Sequence, residues 1–174
     1  PIQASRPPPS TLRRNTLPRT PSAAPVTMTA SIPMESVSLD SSSAFAAIAL
    51  AAVSWDGYLS MAGSRALRHS LDYRQPFKQY GDERMVELMN GLLAALRQKG
   101  PQHLMVEAAA LLSPSQRSTA YAVAAEIMRS DGPLQPDELN ILSNLATTLE
   151  LPPDLTAEVQ SVMDLLHADV LAGG

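Results

Sequence analysis

The chain has 174 residues, enough for one domain and a tail, and 45% of them are hydrophobic but only 4% aromatic. It contains no cysteine, which excludes disulfides, thiolate metal sites, iron–sulfur clusters and cysteine nucleophiles. The charge is unevenly divided, because residues 1–34 carry four arginines and no acid whereas residues 35–174 hold nine basic and 17 acidic residues. Since an acidic domain repels phosphate backbones, we expect no nucleic-acid binding.

Residues 1–36 are predicted to form a Pro-, Ser- and Arg-rich tail, because eight of the 15 prolines lie in residues 1–34 and few apolar side chains accompany them. Such a composition does not bury enough apolar surface to fold alone. Three interpretations remain open: a featureless tail or a start placed too early, with Met28 or Met34 as the true first residue; a linker; or a targeting leader. Residues 37–172 are predicted to form the domain.

The domain is predicted to be all-α, because alanine and leucine are abundant and runs of strand-forming residues are missing. The first helix begins near Asp40 and ends near Trp55; its body at residues 44–53 is apolar on every side, which predicts a central position. This longest apolar run is about half the roughly 20 residues that a membrane-spanning helix needs. A second helix runs from about Ser60 to Leu71, before Pro76.

Five more helices follow from start and stop signals, giving about seven in all. Asp82 is the expected N-cap of the third helix and Gly100 its terminator, while Ser113 to Gln116 reads as a capping box. The predicted ranges are residues 82–99, 101–112, 114–130 and 136–149, and the seventh helix starts at residues 152–154 and ends before Gly173. The predicted apolar stripes are Met85, Leu88, Leu92 and Leu96 in the third, Leu139, Leu142, Leu145 and Leu149 in the sixth, and Leu155, Val159, Val162, Leu166 and Val170 in the seventh.

An internal repeat at a spacing of 75 residues superposes Asp56-Gly57 on Asp131-Gly132. In each copy an apolar helix runs into an Asp-Gly corner and a second helix follows. This pattern predicts a pseudo-twofold arrangement of two helix pairs. Both glycines are expected at the C′ positions of the helices before them, with positive φ.

Residues 41–171 resemble the tellurite-resistance TerB-like domain, whose pattern is Asp-Gly, an apolar residue two positions after the Asp, and Glu seven after it. The second copy matches with Asp131 and Glu138, whereas the first has Gly63 where Glu is expected. The resemblance implies a helical domain related to the amino-terminal part of a membrane-anchored DnaJ-type co-chaperone. It also implies a non-catalytic binding or sensing role in tellurite, metal or oxidative stress, and an acidic surface proposed to bind metal.

The carboxylates of Asp131, Asp137 and Glu138 are the candidate ligands of a weakly bound Ca²⁺ or Mg²⁺, with Asp56 as a degenerate counterpart in the first copy. The spacing is not that of an EF-hand, so we expect a dissociation constant on the order of 10⁻⁴ to 10⁻³ M. The alternative is structural: Glu138 satisfies free N–H groups three residues after the N-cap Gln135, and Asp131 ties its own turn.

Trp55 and Tyr58 flank the first corner and either anchor a protein partner or seal the helix joint. The leading functional expectation is a non-catalytic stress-response module that acts in the cytoplasm through protein contacts. The alternatives are a scaffold adaptor without metal, including one peripheral to a membrane, and an enzyme that uses a carboxylate pair. Reduction of tellurite would need a thiol, a flavin or a metal cofactor, so any role in resistance should be indirect.

Overall fold

A computed structural model describes residues 38–171 of the chain, and within them the protein contains helices and no strands. The all-α prediction is therefore confirmed, while the predicted tail at residues 1–36 lies outside the described residues. One short 3₁₀ helix, at Phe77–Gln79, was not predicted. The seven α-helices are α1 (Ser41–Val53), α2 (Met61–Asp72), α3 (Asp82–Lys99), α4 (Pro101–Ala109), α5 (Pro114–Ile127), α6 (Pro136–Thr148) and α7 (Pro153–Leu166).

Helix α1 lies at the centre of the domain, as its uniformly apolar sequence predicted. Every residue from 44 to 52 is buried, and the helix packs chiefly against α4 and α5. Six of those nine buried residues are alanines, which let neighbouring backbones approach closely. The helix begins where Asp40 accepts a hydrogen bond from the backbone N–H of Ser43 at 2.7 Å. That bond is the first cause of the lowered pKa of the Asp40 carboxyl.

The core around α1 is built from one face of each neighbouring helix. Met85, Leu92 and Leu96 of α3 are buried as predicted, and so are Leu142 and Leu145 of α6. Leu139, which shares the predicted stripe of α6, is instead 44% exposed. Leu139 belongs to the first turn of its helix, and the packed part of α6 begins one turn later.

The helix ends follow the predicted signals with one correction. Ser113 and Gln116 form the expected capping box, since each side chain bonds the other's backbone N–H. Gly100 ends α3 with a φ of 80°. Asp82, however, is the first residue of α3 and not its N-cap, because the preceding Gly81 has the extended backbone of a cap. Asp82 still places its charge in the first turn, where the helix dipole favours it.

Helix α7 is the least buried helix, with no fully buried residue. Two polar contacts hold it: Gln160 donates to the hydroxyl of Tyr121 in α5 at 2.9 Å, and Arg129, which follows α5 in the chain, donates to Asp164 at 2.7 Å. Its predicted apolar stripe is wrong beyond Val159, because Val162 and Leu166 are exposed. Val170, which was expected to continue the stripe, lies after the helix ends at Leu166.

Each Asp-Gly pair lies in the connection between two helices. We call residues 54–60, between α1 and α2, the first connection, and residues 128–135, between α5 and α6, the second connection. Gly57 and Gly132 have positive φ angles of 83° and 132°, as predicted. Neither occupies the predicted C′ position, because a turn intervenes: the Gly57 N–H bonds the carbonyl of Ser54, and the Gly132 N–H that of Arg129. Among the described helices, none combines the length and apolar character needed to cross a bilayer.

Candidate functional site

The two connections lie against each other at one end of α1. The hydroxyl of Ser60, in the first connection, donates a hydrogen bond of 2.8 Å to the carboxylate of Asp131, in the second. The same hydroxyl oxygen accepts from the N–H of Gly63 at 2.9 Å, and so caps α2. Asp131 is therefore attached to the start of a helix from the other half of the sequence.

A cavity of about 710 Å³ opens between the two connections. Its volume lies within the ~300–1,000 Å³ typical of small-molecule sites. Residues of α1, α2, α5 and α6 contribute to its walls together with both connections. The lining residues are Ala52, Val53, Trp55, Asp56, Tyr58, Ser60, Gly63, Ile127, Met128, Ser130, Asp131, Asp137, Glu138, Asn140, Ile141 and Asn144.

All six residues predicted as candidate site residues line this one cavity. They are Trp55, Asp56, Tyr58, Asp131, Asp137 and Glu138. The sequence placed them at two separate corners, with Trp55, Asp56 and Tyr58 at the first and the other three carboxylates at the second. The fold brings these corners together because α2 packs against α5 and both α2 and α6 contact α1.

The carboxylates are held in different ways. Asp56 accepts a hydrogen bond from the backbone N–H of Tyr58 at 3.0 Å, which shapes its own turn. Glu138 accepts from the backbone N–H of Gln135 at 2.8 Å, which confirms the capping interaction that was the structural interpretation of this residue. Asp137, exposed in the first turn of α6, makes no hydrogen bond within the described part of the chain.

The three carboxylates proposed as metal ligands line the cavity without converging on one point. Among the described residues, no group of three or more His, Asp or Glu side chains has the geometry to hold a metal ion. One oxygen of Glu138 faces the N–H of Gln135, and one of Asp131 faces the hydroxyl of Ser60, so each is directed toward a protein donor. A divalent cation site here stays a prediction.

The inner side of the cavity is apolar. Ala52, Ile127 and Met128 are buried, and Ile141 is half-buried, whereas Asp56 and the other aspartates are exposed. Trp55 packs in part against the core, and Tyr58 is 68% exposed. Trp55 therefore both packs at the helix joint and faces the cavity, while Tyr58 presents most of its ring to solvent.

Sequence reasoning missed the contribution of α6 beyond its first turn. Asp137, Ile141 and Asn144 recur at intervals of four and three residues, which places them on one face of the helix. That spacing indicates a helix face that adjoins the Asp-Gly connection and carries both polar and apolar side chains. The hydrogen bond from Ser60 had no such signal, because nothing local to Ser60 indicates a partner 71 residues away.

The chain matches no protein-family model, no curated protein and no solved structure in the three comparisons made.

Proposed function

We propose that this domain is a non-catalytic binding module of the TerB-like stress-response type, and that it binds its partner in the cavity between the two connections. The observation that carries the proposal is that the charged and aromatic candidate residues all line this one cavity. Four carboxylates and two aromatic rings meet there at the edge of an apolar wall. Concave sites with apolar walls and a few polar groups are the usual form of a binding site.

The proposed pseudo-twofold arrangement agrees with this location. In it, α1 and α2 would correspond to α5 and α6, and the two connections would be equivalent parts of the two halves. The bond between Ser60 and Asp131 is a direct link between them. A site shared by two such halves would lie between the equivalent connections, which is where the cavity is.

A non-catalytic role is proposed because Ser60, one of the two serines that line the cavity, is already engaged in holding the fold. Ser60 both donates to Asp131 and accepts from Gly63, so its oxygen is engaged in capping α2. No His or Lys is among the lining residues of the described chain, so an enzyme built on this cavity would have to use the carboxylates as acid and base. The carboxylates would also repel an oxyanion such as tellurite, which agrees with an indirect role in resistance.

The test is affinity capture from a native extract with two matched variants of the full chain. Asn140→Trp places a large side chain at the cavity, whereas Ser143→Trp places it elsewhere on the exposed surface of the same helix. We expect Ser143→Trp to retain the captured partner and Asn140→Trp to lose it, each variant having a wild-type melting temperature. Equal capture by both variants would contradict binding in the cavity.

A scaffold role is the second candidate, favoured by the exposed apolar side chains of α7. Val162, Leu165 and Leu166 are all exposed although they are large and aliphatic. If this role is correct, the partner should be retained by Asn140→Trp and lost by Leu165→Gln/Leu166→Gln. The same capture experiment therefore separates the two candidates.

A further inference from the structure

We infer that the cavity takes an organic cation, namely an ammonium or guanidinium group carried on an apolar stem. The inference rests on the proposed function, because it specifies the ligand of that cavity. Three separate properties of the lining support it: uncompensated negative charge, an apolar wall, and aromatic rings without a cation partner.

None of the described residues neutralises the negative charge of the cavity. Asp56, Asp131, Asp137 and Glu138 line it, and no Lys, Arg or His of the described residues does so. The ion pairs found among the described residues all involve other carboxylates. The hydrogen bonds that three of the four accept come from neutral N–H and O–H donors, which leave the charges uncancelled. A ligand that enters between them gains most if it is positive.

The apolar wall favours an organic cation over a metal ion. Ala52, Ile127 and Met128 are buried at the cavity, and Val53 and Ile141 are half-buried. A hydrated metal ion gains nothing from such a surface and needs several converging oxygens, which the described residues do not offer. An aliphatic stem, in contrast, loses its unfavourable contact with water there. A ligand with both an aliphatic stem and a positive charge contacts the apolar wall and the carboxylates at the same time.

The aromatic rings add a third contribution. In the described residues, Arg74 lies over the ring of Tyr73 at 4.5 Å and Arg84 over that of Tyr80 at 3.9 Å. None of the described cations lies in this way over Trp55 or Tyr58, although both rings line the cavity together with the four carboxylates. A cation within about 6 Å of either ring would be attracted by its π-face.

The experiment titrates the ¹⁵N-labelled full chain with n-hexylamine, protonated at neutral pH, and with 1-hexanol, its neutral analogue of equal stem. Shifts of the Gly132 and Ile141 backbone amides report on the cavity. We expect saturable shifts with hexylammonium and at least roughly tenfold weaker binding of hexanol, since only the ammonium interacts with the carboxylates. Asn140→Trp should abolish the shifts, and Ser143→Trp should retain them.

Charge neutralisation supplies a matched pair of variants. Asp137 and Asp154 each follow a proline at the start of a helix, each is exposed, and only Asp137 lines the cavity. Asp137→Asn should weaken hexylammonium binding about three- to tenfold, whereas Asp154→Asn should leave it unchanged. Both variants lose the same interaction with a helix dipole, so a difference between them reports the cavity alone.

The cationic group has two sources, a free amine or a side chain of a protein partner. A blocked pentapeptide with a central lysine, compared with the same peptide carrying norleucine, distinguishes them. Binding of the lysine peptide at least tenfold tighter than hexylammonium supports a protein side chain, and the reverse order supports a free amine. Either result supports the inference when the norleucine peptide binds more weakly.

Two outcomes would overturn the inference. If hexanol and hexylammonium bind equally and Asn140→Trp blocks both, the cavity is a binding site but does not select a cation. The absence of saturable shifts with either probe at millimolar concentration would also overturn the inference, while the capture experiment decides separately on the proposed function. Shifts that persist in Asn140→Trp would contradict both.

Discussion

The hydroxyl of Ser60 donates a hydrogen bond of 2.8 Å to the carboxylate of Asp131, although 71 residues separate them in the chain. The same hydroxyl oxygen fixes the first turn of α2 by accepting from Gly63. One small side chain thus joins a helix N-terminus in the first half of the domain to the second connection. The contact directs one carboxylate oxygen of Asp131 toward the start of α2.

The contact should be measurable as a coupling between the two residues. In a double-mutant cycle of Ser60→Ala and Asp131→Ala, we expect a coupling free energy of about 0.5–1 kcal/mol, because a hydrogen bond to a charged group is stabilising but this one is exposed to water. Urea unfolding of the four proteins measures it. Ser60→Ala paired with Asp154→Ala should be additive, and coupling of equal size in that pair would contradict a specific contact.

The positive φ angles make a prediction about three glycines. Gly57, Gly132 and Gly81 all have open space where a Cβ would be added, but only Gly57 and Gly132 have positive φ, at 83° and 132°. Alanine should therefore cost roughly 1–2 kcal/mol of unfolding free energy at Gly57 and Gly132, through backbone strain alone. Gly81→Ala should cost less, about 0.5 kcal/mol, because Gly81 has a negative φ and alanine is only the poorer N-cap of the two. Equal effects at all three positions in urea unfolding would contradict this explanation.

Signals that act over three or four residues predicted the helices well. Ser113 with Gln116, Gln135 with Glu138, and Gly100 after α3 each gave a boundary that the structure has within a few residues. Such signals depend on hydrogen bonds between residues that are close in the sequence, so the residue types alone indicate them. The uniformly apolar α1 was placed correctly for a similar reason, since a helix without a polar face has no side to turn toward water.

The shape of the site was beyond the sequence because it depends on which helices pack together. Periodicity identified an apolar stripe on α7 but not how far its neighbour α5 extends, so Val162 and Leu166 were wrongly expected in the core. Arg129 is the opposite case. A charged residue is expected at the surface, yet the side chain of Arg129 is only 4% exposed. The six candidate site residues were identified individually, and their meeting in one cavity required the fold.

Arg129 should make Asp164 more important than an exposed carboxylate usually is. The guanidinium donates to Asp164 and to the carbonyl of Ala125, and the side chain of Asp164 is 70% exposed. Asp164→Ala leaves a buried charge with one partner fewer and should cost about 1–2 kcal/mol, less than a fully buried pair would. Asp72→Ala, which breaks the exposed pair with Arg68, should cost under about 1 kcal/mol in the same urea unfolding experiment.

Tyr121 should make the domain less stable at alkaline pH. Burial raises the pKa of its hydroxyl above the ordinary value of 10.0, against the smaller lowering effect of the bond from Gln160. The unfolded chain therefore loses this proton first as the pH rises above about 10, and the unfolding free energy falls from there until the folded pKa is passed. Below pH 10 this contribution is fully present.

The measurement is urea unfolding between pH 8 and 11, compared with Tyr121→Phe. The variant should show a shallower alkaline loss of stability, although it lacks the hydroxyl that accepts from Gln160. Absorbance titration at 295 nm should show Tyr121 ionising later than it does in the unfolded chain. Parallel pH curves for the two proteins would contradict the assignment.

Divalent cations should bind weakly and only at the second connection. Because the carboxylates of Asp131, Asp137 and Glu138 do not converge, we expect dissociation constants for Ca²⁺ and Mg²⁺ on the order of 10⁻³ M or weaker. The amide of Gly132 should shift in the titration and that of Gly57 should not, and Glu138→Gln should reduce the effect. Equal shifts at both glycines, or micromolar affinity, would contradict the observed arrangement.

The central position of α1 has a consequence for how far the two halves of the chain are independent. A repeat of helix pairs suggests two units that fold separately, yet α1, from the first half, packs chiefly on α4 and α5, which lie later in the chain. Neither half encloses a core of its own, because the residues buried on α1 need partners from beyond α3. The polypeptide should thus unfold in one cooperative transition, and fragments cut between α3 and α4 should acquire structure only when mixed.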